Sequence, residues 1–175
     1  MRALAYGVTV MIGIGALWVL SGTQRSASVL PVTDSIRPLE AEVAMQPDNP
    51  ATTRMLAQAY LDALQPGLAR VLLESAPGRA RADVRTRHIL ARALLDLGRA
   101  DLALPVEVGV VNDCQPSASD ALAPGCDSVL FASAVRRTSI MREMVAVGVT
   151  DVLAHPEASL IAYENATREA RVRLE

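Results

Sequence analysis

The chain has 175 residues, 17 basic and 19 acidic, with a formal net charge of -2, which bounds it to one domain or one domain plus an anchor. Such a charge is too close to zero to suggest nucleic acid or a polyanionic surface as a partner. Every basic residue is arginine, which excludes pyridoxal-phosphate Schiff bases, lysine-bearing phosphate loops and the kinase lysine, each of which needs an amine.

After Arg2 the chain carries no charge until Arg25. The apolar run Ala3 to Leu20 spans roughly 27 Å as a helix, the lower limit for crossing a bilayer and long for a signal-peptide core. Residues 1–22 are therefore expected to be a transmembrane signal-anchor or a signal peptide. Val19-Leu20-Ser21 offers a tolerable cleavage site, and Trp18 suits the far interface. Both readings send the remaining chain across a membrane. Residues 23–38 are rich in Ser, Thr and Pro and read as a flexible linker.

Residues 39–175 are expected to form an all-α domain. A short helix over Leu39 to Met45 ends at Pro47, and Asn49 or Asp48 caps the next helix, with Pro50 in its first turn. Residues 51 to 64 place Met55, Leu56, Ala59, Tyr60 and Ala63 on one stripe. Gln65-Pro66-Gly67 breaks that helix. A second helix from Leu68 turns Leu68, Val71, Leu72 and Ala76 inward and stops at Pro77-Gly78. Asp83 caps residues 84 to 97, whose Ile89, Leu90, Ala93, Leu94 and Leu97 repeat the stripe. Gly98 suits the left-handed end of that helix. The stretch says nearly the same thing twice at an offset of 34: Leu56/Leu90, Ala57/Ala91, Ala59/Ala93, Leu61/Leu95, Asp62/Asp96, Leu68/Leu102 and Ala69/Ala103 are identical. Such a period is the signature of stacked helical hairpins.

On these residues the chain resembles the tetratricopeptide repeat family. Leu56, Ala57, Tyr60, Ala69, Leu73 and Ala76 match its small-and-large pattern in one unit, and Leu90, Ala91, Leu94 and Ala103 in the next. The resemblance covers about a third of the chain, as repeats over about 50–83 and 84–112. It departs from the family at Thr53, where a tryptophan-like residue is favoured, and at Arg81, where proline is. Pro77 shortens one second helix, and Pro105 and Gly109 are expected to interrupt the other. The resemblance implies a short α-solenoid that binds a protein or peptide. In the family the first helix of each hairpin lines a concave groove, and its groove positions fall here on Arg54, Gln58, Asp62, His88, Arg92 and Asp96. Arg85, one turn before His88, extends these into a ridge with Arg92. Arg54, Gln58, Arg85, His88 and Arg92 are the candidate binding residues, suited to a carboxylate or an acidic segment. The same residues equally fit the solvated polar face of any amphipathic helix.

The loop 112–127 holds the only cysteines, Cys114 and Cys126. In an exported chain an even count favours a disulfide. Zinc lacks two further ligands, the redox C-x-x-C spacing is absent, and Asp113, Asp120 and Asp127 match no calcium loop. His155, beside Pro156, reads as capping or exposed. A C-terminal helical pair over 128–175 follows, with Ser128 or Asp127 as cap. Leu130, Ala134, Met141, Met144 and Val145 lie on one face of its first helix, and Leu160, Tyr163, Thr167, Ala170 and Leu174 on one face of the second, which would close the stack. No cofactor, metal or catalytic motif emerges. The reading is a non-enzymatic scaffold of the bacterial cell envelope, single-pass in the inner membrane with its helical domain in the periplasm, or periplasmic or secreted after cleavage. The alternatives are a structural subunit that self-associates as a homo-oligomer and a small thiol redox factor.

Overall fold

A computed structural model describes residues 30–116 and 121–172. The membrane segment expected over 1–22 lies outside the described residues. Among those described, no helix is long and apolar enough to cross a membrane. The chain divides into two compact units, Met1–Arg37 and Pro38–Glu175.

Every regular element described is helical: α1 (Leu30–Met45), α2 (Pro50–Asp62), α3 (Pro66–Ser75), α4 (Gly78–Ala82), α5 (Val84–Asp96), α6 (Ala100–Asp113), α7 (Ser128–Ala146) and α8 (Pro156–Val172). Residues 30–38 of the expected linker are thus helical. Pro31 falls in the first turn, where its missing N–H is not needed, and Pro38 lies inside the helix with its ring exposed. Three caps form as side chain to backbone bonds: Asn49 accepts from Ala51 N, Asp83 from Thr86 N and Asp127 from Leu130 N. Pro105 and Gly109 do not interrupt α6, which runs unbroken to Asp113. Pro105 is exposed and the carbonyl it strands belongs to the first turn, while Gly109 leaves room for Arg87, whose Nη1 would lie 3.6 Å from an added Cβ.

The helices pack as consecutive pairs, α2 on α3, α5 on α6 and α7 on α8, with α3 and α2 against α5 and α6 against α7. Their inward faces carry Leu56, Ala57 and Tyr60, then Ala69, Leu73 and Ala76, then Ala91, Ala93 and Leu94, then Ala100, Ala103 and Val110. Two expected stripes are displaced. On α3, Leu68 and Val71 face solvent while Leu73 is buried, because the row 69-73-76 is one helix face and 68-71 belongs to the next. On α2, Met55 is exposed. On α8 the buried row is Ser159, Ala162 and Ala166, one residue before the expected one, with Leu160, Ile161 and Tyr163 exposed. Small residues let α8 lie close on α7, so the large ones turn outward. Val145 of α7 is likewise exposed.

Gly98 ends α5 at φ +73°, and a Cβ there would sit 2.7 Å from Asp151 Cγ. Ala100 N donates to Thr150 O at 3.1 Å, so the α5–α6 turn and the start of the α7–α8 turn meet backbone to backbone.

A groove over a buried charge network

The first helices of the first two pairs, α2 and α5, form two walls of a groove of about 640 Å3, and the start of α7 closes it. Arg54 and Gln58 reach it from α2, Arg85 and His88 from α5, and Leu39, Asp127, Val129 and Ser133 complete it. Arg92 does not. One turn farther along α5, it lines a separate cleft of about 710 Å3 with Leu61, Leu64, Leu95 and Leu153, 3.7 Å from Asp96. The expected ridge of Arg85, His88 and Arg92 is therefore divided between two cavities.

The groove is not the basic surface that its arginines suggest. Arg54 Nη1 lies 2.7 Å from Asp83 Oδ2. Arg85 donates from Nη2 to Asp127 Oδ2 at 2.6 Å and from Nε to the Gly125 carbonyl at 3.2 Å. Gln58 Nε2 donates to Asp62 Oδ1 at 2.7 Å. Sequence spacing shows which side chains share a helix face, whereas these counter-charges come from the turns before α5 and α7. Two of those carboxylates are also helix caps. Burial would raise the Asp83 carboxyl, but the Thr86 and Arg54 donors outweigh it and hold it below the usual range. The Leu130 N–H, then Arg85, does the same at Asp127. The floor between these pairs is apolar, with Met55, Ile89 and Val129 lining it and Val129 77% exposed.

Behind the groove lies a charge the sequence reading passed over. Glu107 of α6 is 0% exposed. His88 Nδ1 sits 2.7 Å from Glu107 Oε1 and Arg137 Nη1 3.3 Å from it, yet neither carboxylate oxygen receives a well-directed hydrogen bond. The contacts are close but not aligned as hydrogen bonds. Arg137 also donates to the His88 carbonyl at 3.0 Å; burial pushes its guanidinium down, with Glu107 opposing. On the groove side, His88 Nε2 meets Ser133 Oγ at 3.3 Å. Arg137 Nη1 also lies 3.4 Å from His88 Nδ1, so Nδ1 faces both a carboxylate and a guanidinium. Glu107, Ser133 and Arg137 were missed, and one signal could have found the first. At the offset of 34, Glu107 falls on Leu73, so a charge occupies a core position of the repeat.

Cys114 and Cys126 are bridged, with their Cα atoms 5.6 Å apart. Cys114 is fully buried among Val84, Val110, Leu130 and Ala134. The bridge joins the end of α6 to the residue before Asp127, and so fixes the carboxylate that holds Arg85. Asp113 pairs with Arg87, and Asp120 lies outside the described residues. His155 is exposed, and its carbonyl accepts from Ser159 Oγ at 2.8 Å.

No family model matches the chain, and neither a curated protein nor a solved structure does.

Proposed function

We propose that the chain is a tetratricopeptide-like scaffold of the cell envelope, anchored or exported through its N-terminal segment, which docks a segment of a partner protein in the groove between α2, α5 and α7. The reading assigns it no reaction. One observation carries the docking role: an open groove of about 640 Å3 keeps Met55 and Val129 exposed on its floor. Apolar side chains held together in a concavity gain free energy by being covered, at about 25 cal/mol per Å2. The bridged cysteines, one of them fully buried, support a staple over a redox role. The test is association in cells. Met55→Asp and Val129→Asp, each alone, should release the partner from the native complex, while Val71→Asp on the exposed face of α3 should not. Equal loss from all three variants, or from none, contradicts the reading.

Self-association has its own supporting observation. Leu64 is 88% exposed and Leu153 86% exposed, and both line the second cleft. Leu64 also holds φ +57°, a conformation costly for a branched-chain residue. Sedimentation of Leu64→Asp/Leu153→Asp against the unaltered chain decides it: a shift to lighter species supports self-association, and identical profiles reject it.

A further inference from the structure

Resting on the docking role of the α2–α5–α7 groove, we propose that its occupant is a neutral peptide segment. This segment turns aliphatic side chains to Met55, Ile89 and Val129 and gives one N–H or O–H to Ser133 Oγ.

Charge complementarity argues for neutrality. Arg54 and Arg85 are held at 2.7 and 2.6 Å by Asp83 and Asp127, so each cation on the lining already has its counter-charge. Asp62, the remaining charge, is exposed and takes the Gln58 amide. An acidic segment would have to break one of two short ion pairs, each of which also secures a helix cap, or lay its carboxylates on an apolar floor. Either course costs desolvation that no unpaired arginine among the described lining residues repays. An apolar segment meets no such opposition.

The hydrogen bond follows from the network behind the floor. The bond to His88 is the only one Ser133 Oγ makes among the described residues. A hydroxyl has one hydrogen and two lone pairs, so one acceptor site stays open whichever partner donates in that bond. Behind the ring, Glu107 Oε1 lies 2.7 Å from Nδ1 and Arg137 donates to the His88 backbone carbonyl, so the ring that meets the hydroxyl is confined from behind. This gives Glu107 a use at a position where the preceding hairpin carries leucine. Ser133 is half-buried, and a segment that covers it without offering a donor leaves its open lone pair without a partner, which costs affinity.

The test selects a displayed random dodecapeptide library on the full chain in detergent and measures recovered peptides by fluorescence anisotropy. Neutral aliphatic sequences are expected, with binding abolished by Val129→Asp and weakened about fivefold to tenfold by Ser133→Ala. Ser133→Thr, which keeps the hydroxyl, should restore most of it, and circular dichroism confirms that each variant keeps its helices. Acidic sequences that lose binding with Arg54→Ala or Arg85→Ala would overturn the neutral-segment inference while leaving the groove as a docking site. Basic sequences that need Asp62 would do the same, as would neutral sequences indifferent to Ser133. Recovery of no peptide sensitive to Val129→Asp would overturn both readings.

Discussion

Glu107 occupies in α6 the place that Leu73 holds in α3, 34 positions earlier, and the two are 0% and 1% exposed. The second hairpin thus spends a core position on a carboxylate and compensates it with His88 and Arg137. Removing one partner of a buried ion pair strands the other. Glu107→Ala is therefore expected to cost about 3 kcal/mol, the lower end of the range because Arg137 retains some water contact. Replacing both partners, as Glu107→Leu with Arg137→Met, should recover most of that loss. Denaturant unfolding of the four members of the cycle should give a coupling above about 1 kcal/mol. Additive losses would show that the pair does not act as one unit.

The disulfide makes a prediction about reduction. It closes a short loop and is expected to contribute about 3 kcal/mol by restricting the unfolded chain, or roughly 6–12 °C in Tm for a chain of this size. Thermal unfolding with and without reductant should show that difference, and the Cys114→Ala/Cys126→Ala variant should be insensitive to reductant.

Two groups give pH limits of opposite sign. Asp83 is held below the usual carboxyl range in the fold, so its contribution is present above the unfolded value of about 4 and is lost as pH falls through the folded one. The stability gap between the unaltered chain and Asp83→Asn should therefore narrow in acid. At the other end, burial and then the hydrogen bond from Tyr60 Oη to Glu40 at 2.7 Å push the Tyr60 phenol up to about 12. That contribution is intact below the unfolded value of about 10 and lost as pH rises through the folded one. An ultraviolet titration should show one tyrosine ionising late, and Tyr60→Phe should remove that step.

Gly98 and Gly148 separate backbone conformation from crowding. Both sit near φ +75°, at +73° and +75°, so alanine at either costs about 1–2 kcal/mol. At Gly98 the added Cβ also meets Asp151 at 2.7 Å, whereas nothing lies within 4 Å at Gly148. Gly98→Ala should therefore destabilise more than Gly148→Ala in parallel denaturant melts, and equal losses would contradict the close contact.

The paired copies, the caps at Asn49, Asp83 and Asp127 and the left-handed Gly98 were legible because each rests on a local rule about one residue and its near neighbours. The buried row of α8 was not. Leu160 and Tyr163 look like core, and only the closeness of α7 makes Ala162 and Ala166 the inward choice. The helix over residues 30–38 was hidden by its prolines. At the groove, helical register placed Arg54, Gln58, Arg85 and His88 together because they share faces on α2 and α5. It could not show that Asp83 and Asp127 neutralise the arginines, or that Ser133, 45 residues from His88, closes the floor. Those are facts of tertiary packing.

Site-specific photocrosslinking in cells tests the docking role most directly. A benzophenone side chain at Val129, exposed on the groove floor, should yield a discrete adduct with one partner, and Met55→Asp should abolish it. The same probe at Val71, exposed on α3, should not yield that adduct. The same adduct from both positions, or an adduct from Val129 that survives Met55→Asp, would contradict a docking site between α2, α5 and α7.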